Sequence, residues 1–243
     1  MQVRRIYTEN SLSNRERLEI SGQAGQHIAR VLRMRVGEEL VLFDGSGGEH
    51  RARIESIQGN NIFLARLGFD PVEREAPVKV TLLQAISRGE RMDWTIQKAT
   101  EMGVHRILPL GSQRSMVKLT AERAERRREH WQAVAISACE QCGRNRVPEV
   151  ATPLSLEQAL AQVSSYPLKL CLREDAQTRP ADLPDAPAQV CIAIGPEGGL
   201  DECELRILEG AGFLGLRLGP RILRTETAGL AAMAALLCRW GDF

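Results

Sequence analysis

Five short segments rich in Gly, Arg and acidic residues each follow an apolar run of the kind that forms a buried strand. In parallel α/β sheets, ligands bind beyond the carboxyl ends of the strands, so these segments are the expected location of a ligand-binding or catalytic site. Glycines at 195, 198 and 199 lack a Cβ, so the backbone there can bring its N–H and C=O groups close to an adenine or a carboxylate. The five segments are 87–91, 111–115, 173–175, 195–199 and 219–227.

The two glycine-containing segments in the last third of the chain favour a shared cofactor pocket. A tight strand-to-helix turn would explain one of them without a ligand, but two such turns at 195–199 and 219–227 point to a common site. Neither matches the dinucleotide pattern GxGxxG, and GxxxxGK[ST] occurs nowhere in the chain, which disfavours NAD and ATP chemistry. Residues 45–48 (GSGG) lie between β-like segments and indicate a hairpin turn.

Cysteine and histidine usage indicates no metal site. Cys139 and Cys142 form a lone CxxC pair, and no second Cys or His pair stands at ligand spacing, so helix packing is the better interpretation. The six cysteines lie in apparent helices and apolar strands, which fits reduced thiols in a cytosol. The N-terminus lacks a signal-peptide core, and no run approaches the ~20 apolar residues of a membrane span, so we expect a cytoplasmic protein without a membrane partner.

The composition limits the size of the hydrophobic core and the net charge available for binding. With 243 residues and 43% hydrophobic content, the chain can bury one or two cores. Its formal net charge of +1 gives no global attraction to polyanions. Any nucleic-acid site must therefore come from local clusters of basic residues.

The pattern along the chain predicts two domains. Residues 1–70 show short strands and turns, typical of a small β-barrel, with one helix near 26–34. Residues 71–77 form a charged, Pro-flanked linker, and 78–243 alternate strands and helices as in an α/β domain with a parallel sheet. The expected strands of this second domain are 78–85, 107–110, 168–172, 190–194 and 215–219, and the expected helices are 90–102, 120–141, one after Asp201, and 225–238.

Two motifs carry a specific resemblance. Residues 194–199 (IGPEGG) together with 218–228 (LGPRILRTETA) resemble the paired signature of the RsmE family. Further matches follow in the same order along nearly the whole chain: 27–34 (HIARVLRM), 42–45 (LFDG), 87–92 (SRGERM), 100–104 (TEMGV) and 139–148 (CEQCGRNRVP). The sequence departs at Arg88, where the family often has Lys, and at Gln113, where it commonly has Glu. The first change keeps the charge, and the second leaves Gln113 without an acid or base role.

The resemblance implies a fold and an activity. The fold would be a C-terminal α/β SPOUT methyltransferase domain threaded into a trefoil knot, with an N-terminal PUA-like β-barrel for RNA. The protein would be a homodimer that uses S-adenosylmethionine to methylate N3 of a uridine in 16S ribosomal RNA, within the assembled small subunit. No metal is implied.

This reaction suggests roles for charged residues. Uracil N3 carries a proton and becomes a nucleophile only when that proton leaves, so the site needs a proton acceptor or a cation for the charge on O2 and O4. Structural ion pairing is the alternative for every candidate, and for Glu226 it is favoured, because a first-turn Glu suits the helix dipole. The candidate cations are Arg224 first, then Arg88, Arg144 and Arg221, and the candidate acceptors are Glu197 and Glu226.

Two further sets of residues complete the prediction. For RNA, Arg30 and Arg33 are expected to share a helical side, and Arg146 follows the helix-ending Gly143 in a loop that the family motif marks. The predicted cofactor-binding residues are Leu172, Ile194, Gly195, Gly199, Leu218, Gly219, Ile222, Leu223, Thr227 and Ala228. The predicted RNA-binding residues are Arg4, Arg5, Arg30, Arg33, Arg35, Arg114 and Arg146.

Two other functions stay open from the sequence. A SPOUT ribose methyltransferase acting on transfer RNA would use the same cofactor loops. A non-catalytic RNA-binding ribosome assembly factor would have the same fold, but the intact glycines of both loops argue against a decayed site.

Overall fold

The chain divides into two compact units. The computed structural model describes residues 3–12, 17–111 and 120–243. One unit comprises Met1–Glu75 and Cys139–Val147, and the other comprises Ala76–Ala138 and Pro148–Phe243. The division after Glu75 falls within the linker predicted at 71–77, whereas the assignment of Cys139–Val147 to the first unit has no counterpart in the sequence-based boundaries.

The first unit is built on a five-stranded sheet with the order β1-β3-β4-β5-β2. Strand β1 pairs with β3 in parallel, and the other pairs are antiparallel. Alternate residues of β4, among them Ala52 and Ile54, face an apolar core, as period-two patterning predicts. As expected, residues 45–48 turn between two antiparallel strands, β3 and β4. The strands are β1 (Arg4–Tyr7), β2 (Arg17–Ile20), β3 (Glu39–Phe43), β4 (Glu49–Gln58) and β5 (Asn61–Asp70).

The helix expected near 26–34 begins and ends earlier than expected and is irregular. Helix α1 (Gly22–Gln26) continues into one π-helical stretch, His27–Val31. Arg33 has a φ of +51°, in the left-handed region, and so lies outside the helix. The expectation that Arg30 and Arg33 share a helical side is therefore wrong, because the chain leaves the right-handed helical path between them.

The second unit contains a six-stranded sheet with the order β11-β9-β10-β6-β7-β8. Every pairing in it is parallel, which confirms the predicted α/β class. The apolar runs at its centre are buried on both faces, as parallel strands require. The strands are β6 (Lys79–Ala85), β7 (Arg106–Leu110), β8 (Glu149–Val150), β9 (Leu168–Leu172), β10 (Gln189–Ile194) and β11 (Leu214–Leu216).

Helices cover both faces of this sheet. One core cluster joins α2, α3 and α6 to one face, and a second joins α4 and α5 to the other. A capping box between Asp201 and Glu204 starts α5, as its sequence predicts. The sequence analysis did not predict α4, and the trefoil knot stays a prediction from the resemblance. The helices are α2 (Arg91–Glu101), α3 (Ala121–Cys142), α4 (Leu156–Gln162), α5 (Glu202–Gly210) and α6 (Thr225–Trp240).

Among the described residues, no helix is both long enough and apolar enough to span a bilayer.

Candidate functional site

A cavity of about 720 Å³ lies beyond the carboxyl ends of three neighbouring strands. Strands β11, β9 and β10 are adjacent and parallel, so the segments that follow Leu172, Ile194 and Leu216 meet at one edge of the sheet. Arg91, at the start of α2, and the first turn of α6 complete the wall. The fold therefore brings together the segments that the sequence singled out after β9, β10 and β11.

Most of the predicted cofactor-binding residues line this cavity. Its apolar surface comes from strand ends and from the loop before α6, while Ile222 is 78% exposed at the cavity margin. Thr227 is exposed on α6 and is not a lining residue. The predicted residues that do line it are Leu172, Ile194, Gly195, Gly199, Leu218, Gly219, Ile222, Leu223 and Ala228.

The glycines of the two turns serve different steric needs. Gly199 and Gly219 have φ values of +71° and +138°, and a Cβ on either would meet no atom within 4 Å. Their requirement is therefore conformational. Gly195 has no positive φ, but its Cβ would lie 3.1 Å from the backbone nitrogen of Leu200. Close approach of the backbone thus explains Gly195.

A buried threonine ties the two turns together. Oγ1 of Thr225, the first residue of α6, donates to the carbonyl oxygen of Gly195 at 2.6 Å. Nε2 of Gln84, on β6, donates to the same Oγ1 at 3.1 Å. Neither Thr225 nor Gln84 is among the site residues predicted from the sequence, although an amide within the apolar run 78–85 is a signal that could have identified Gln84.

Arg91 faces two carboxylates of the cavity. Its Nη1 lies 3.2 Å from Oε1 of Glu197, and its Nε lies 3.9 Å from Oε1 of Glu226. Arg91 lies in the predicted segment 87–91, but no role of its own was predicted for it. Oε2 of Glu226 is buried and has no hydrogen-bond partner in the described part of the chain.

Glu197 is held in its ionised form. Partial burial alone would raise its pKa, but hydrogen bonds from the backbone N–H groups of Glu197 and Arg88 and the charge of Arg91 outweigh that effect. The net result is a pKa below the ordinary value of 4.5. Glu197 is therefore an anion at neutral pH that anchors Arg91.

The arginines that line the cavity differ in whether their guanidinium groups form ion pairs within the protein. Arg173 pairs with Asp175 and Glu209, so its guanidinium is committed. Arg224 and Arg221 line the cavity, are exposed, and make no side-chain hydrogen bond or ion pair with the residues at 3–12, 17–111 and 120–243. These two guanidinium groups can therefore turn toward a ligand.

The other two predicted cations, Arg88 and Arg144, are not lining residues of the cavity. Arg88 is exposed, and its backbone N–H, at 3.5 Å from Oε1 of Glu197, is the part that approaches the cavity residues. Arg144 belongs to the first unit, with a side chain 4% exposed. Its Nε and Nη2 lie 3.0 and 2.5 Å from the two carboxylate oxygens of Glu75. This bidentate pair joins a buried guanidinium to a partly exposed carboxylate and accounts for the burial of Arg144, which is not a lining residue of the cavity.

Three of the predicted RNA-binding arginines present unengaged side chains. Arg30, Arg33 and Arg35 are exposed, and their guanidinium groups have no partner in the described portion of the first unit. Arg4 is also exposed and donates to the carbonyl oxygen of Leu32 at 2.6 Å. These residues form a basic surface that phosphates can reach.

The remaining predicted RNA-binding residues are less accessible. Arg5 lies against Glu49 at 2.5 Å and Asn145 at 2.6 Å, which occupies its guanidinium inside the first unit. Arg146 is exposed but pairs with Glu73 at 3.3 Å. Arg114 lies outside the described residues. The same stretch holds Gln113.

Among the described residues, no group of three or more His, Cys, Asp or Glu side chains could hold a metal ion. Burial raises the pKa of the Cys139, Cys171 and Cys191 thiols to about 12, which keeps them protonated.

Comparison with known proteins matches both parts of the chain. The model of an RNA methyltransferase domain matches residues 74–237, and that of an RNA methyltransferase PUA domain matches residues 20–65. Ribosomal RNA small subunit methyltransferase E of Bacillus subtilis is 32% identical over 238 residues, covering 94% of this chain and 93% of its own length. The protein of the same name from Mycobacterium bovis is 34% identical, covering 91% and 87%.

Solved structures agree over the full length. A protein from Legionella pneumophila, in complex with the bound cofactor SAM, superposes with a TM-score of 0.95 at 42% identity, covering 100% of both chains. A ribosomal RNA small subunit methyltransferase E from Neisseria gonorrhoeae, bound to S-adenosyl methionine, gives 0.92 at 39%, also covering 100% of both chains. With an RNA methyltransferase domain, a PUA domain and end-to-end similarity to these relatives, the chain belongs to the ribosomal RNA small subunit methyltransferase E (RsmE) family.

Proposed function

We propose that this chain is an S-adenosylmethionine-dependent methyltransferase that modifies N3 of a uridine in 16S ribosomal RNA. The observation that carries the proposal is the meeting of the 195–199 turn and the loop before α6 in one cavity. The relatives from Legionella and Neisseria, which align over the whole chain, bind this cofactor. The curated relatives are named as methyltransferases of the small ribosomal subunit.

The cavity suits the cofactor in size and surface. Its volume of about 720 Å³ lies within the roughly 300–1,000 Å³ of small-molecule sites. The walls combine apolar side chains, such as Leu172 and Leu218, with glycine backbone that a Cβ would otherwise cover. Backbone groups of Gly199 and Gly219 would hold the polar parts of the cofactor, and Leu172, Ile194, Leu218, Leu223 and Ala228 the apolar parts.

When bound, S-adenosylmethionine supplies an electrophilic methyl group on a positively charged sulfur. The protein must then position uridine and manage the charge that develops on it. Arg224 suits this task because it lines the cavity and has no described ion-pair partner. Arg221 is the second candidate. Arg88 supports the cavity through its backbone, and Arg144 is occupied by Glu75.

Glu226 is the better-placed proton acceptor of the two carboxylates. Its Oε2 is buried at the cavity and has no described hydrogen-bond partner, whereas Glu197 is committed to Arg91 and to backbone N–H groups. A carboxylate oxygen without a donor can accept the proton that leaves uracil N3. Glu197 then holds Arg91, which in turn faces Glu226.

The first unit would dock the RNA. The unengaged arginines at 30, 33 and 35 can contact phosphates without breaking an existing ion pair. We further propose that the enzyme acts in the cytoplasm on the assembled small subunit, as a homodimer with a knotted catalytic domain. These four features rest on family membership.

Mass spectrometry of ribosomal RNA tests the proposal. A strain that lacks the protein should lose 3-methyluridine from 16S RNA, and the unaltered gene should restore it. A gene encoding Arg224→Ala should not. Loss of a ribose methylation from transfer RNA instead would support the ribose methyltransferase, and unchanged RNA would support a non-catalytic assembly factor.

A further inference from the structure

A chain of hydrogen bonds crosses the base of the cavity. Nε2 of Gln84 donates to Oγ1 of Thr225 at 3.1 Å, and that Oγ1 donates to the carbonyl oxygen of Gly195 at 2.6 Å. Gln84 is fully buried and Thr225 is 6% exposed, so water does not compete for these bonds. The chain links β6, the start of α6 and the turn after β10.

Its direction is fixed by the available hydrogens. The carbonyl oxygen of Gly195 can only accept, so the single hydroxyl proton of Thr225 must point to it. Thr225 therefore accepts from Gln84, whose second Nε2 hydrogen meets the carbonyl oxygen of Ala85 at 3.2 Å. A reversed amide would place its oxygen against that carbonyl, so the two contacts of Nε2 fix the observed orientation, which leaves Oε1 of Gln84 buried and without a hydrogen-bond partner among the described residues.

Gly229 holds Gln84 in place from the side of α6. A Cβ at Gly229 would lie 3.2 Å from Cδ1 of Leu82, 3.3 Å from Oε1 of Gln84 and 3.4 Å from Cγ1 of Ile194. A Cβ at this position would therefore be crowded by the sheet, and the glycine allows α6 to pack closely on it. In this packing, Thr225, one turn before Gly229, lies within hydrogen-bond distance of Gln84 on β6.

We propose that Gln84 and Thr225 are positioning residues for cofactor binding. They hold the peptide of Gly195 so that the 195–199 turn presents its other backbone groups to the cavity. The carbonyl oxygen of Gly195 is itself used inside the protein, so recognition falls to the backbone beyond it. The inference rests on the proposed function, because S-adenosylmethionine is the ligand concerned.

Paired valine variants of the full chain separate positioning from stability. Thr225→Val keeps the shape of the side chain and removes the hydroxyl, and Thr225→Ser keeps the hydroxyl. The control is Thr81→Val: Thr81 is fully buried on β6 and its Oγ1 lies 3.0 Å from the hydroxyl of Tyr166. S-adenosylmethionine affinity is measured by titration calorimetry, and the unfolding temperature is measured without ligand.

Both valine variants should unfold at a lower temperature, because each loses a buried hydrogen bond. Only Thr225→Val should weaken cofactor binding, by about tenfold, and Thr225→Ser should restore most of it. Gln84→Met provides a second test, because it removes the other partner of the Thr225 hydroxyl. The double variant Gln84→Met with Thr225→Val should lose less cofactor affinity than the sum of the losses in the two single variants.

Equal cofactor affinity in Thr225→Val and Thr81→Val would overturn the inference while leaving the proposed function intact. Failure of Thr225→Ser to recover binding would overturn it as well. If the unaltered protein bound no S-adenosylmethionine, the proposed function would fail, and the inference with it.

Discussion

Nη1 of Arg91 lies 3.2 Å from Oε1 of Glu197, while Nε of the same guanidinium lies 3.9 Å from Oε1 of Glu226. One cation at the start of α2 thus faces carboxylates from the turn after β10 and from the first turn of α6. The charges at the cavity are therefore coupled, and a change at Arg91 reaches both acids.

Arg91→Gln should raise the pKa of Glu197 toward its ordinary value of 4.5, because the nearby positive charge contributes to its depression. A depressed carboxyl pKa stabilises the fold above the ordinary value and loses that effect as pH falls through the lowered pKa. The stability change should be small, since the Glu197 side chain is 36% exposed and solvent screens the pair. Titration of its side-chain carbon signal by NMR measures the shift. Arg206→Gln, in an exposed pair with Glu202, is the control and should leave Glu197 unchanged.

Gly199 has a φ of +71°, a conformation that costs roughly 1–2 kcal/mol once a Cβ is present. Gly199→Ala should therefore disfavour the backbone conformation of this turn and weaken cofactor binding. Gly59→Ala is a matched control. Its φ is +65°, a Cβ would likewise meet nothing within 4 Å, and it lies in the turn between β4 and β5. Denaturation should show similar losses of stability for both, and calorimetry should show weaker binding for Gly199→Ala alone. Equal affinities would exclude a role of the Gly199 turn in the site.

Arg224→Ala should lower kcat by ~100-fold, as with removal of one donor to a developing charge, with little change in cofactor or RNA affinity. Arg224→Lys should recover part of that loss, because a point charge does not reproduce the planar fork of donors. Single-turnover kinetics on small subunits measure this. If cofactor affinity falls in proportion to activity, Arg224 shapes the pocket and the charge role passes to Arg221.

Arg144→Ala should destabilise the first unit by about 3–5 kcal/mol, because it leaves Glu75 without its buried partner. Replacing both residues, as Arg144→Met with Glu75→Leu, should recover much of the loss, since apolar side chains can fill the space. Chemical denaturation provides the measurement. If Arg144→Ala had normal stability but abolished methylation, the result would support the predicted catalytic role of Arg144.

Arg30→Ala with Arg35→Ala should weaken RNA binding and reduce its salt dependence by about one unit of slope per lost phosphate contact. Arg51 and Arg53 are the controls, because both pair with Glu39 on the neighbouring strand. Binding to ribosomal RNA at several salt concentrations tests this. Equal losses from both pairs of substitutions would mean that net charge, rather than the unengaged arginines, attracts the RNA.

Five of the six described strands of the second unit follow from the sequence to within a few residues, whereas the two-residue strand β8 (Glu149–Val150) was not predicted. Strands 168–172 and 190–194 are buried on both faces of the sheet. Because strands of this kind consist almost entirely of apolar residues, they can be recognised directly in the sequence. Helix α4 escaped prediction because it spans only Leu156–Gln162, too short for a clear helical period. The glycine-rich turns could be located because they follow predicted strands.

Pairings between distant residues could not be predicted in this way. Arg144 pairs with Glu75, which is 69 residues away, and no local pattern in the sequence connects the two. The Thr225 hydroxyl and the Gly195 carbonyl are 30 residues apart, and their hydrogen bond arises only when α6 packs on the sheet. Such contacts depend on tertiary structure rather than on the periods of single elements.

The membership of Cys139–Val147 in the first unit has a consequence for synthesis of the protein. Arg144 and Asn145 supply partners to Glu75 and Arg5, so the N-terminal unit lacks part of its interior when its first 75 residues leave the ribosome. The first unit therefore cannot finish folding before synthesis of the second unit has begun, as it could if the two units were consecutive along the chain. The first unit therefore has all of its residues only after α3 has been translated, when part of the second unit has already been synthesised.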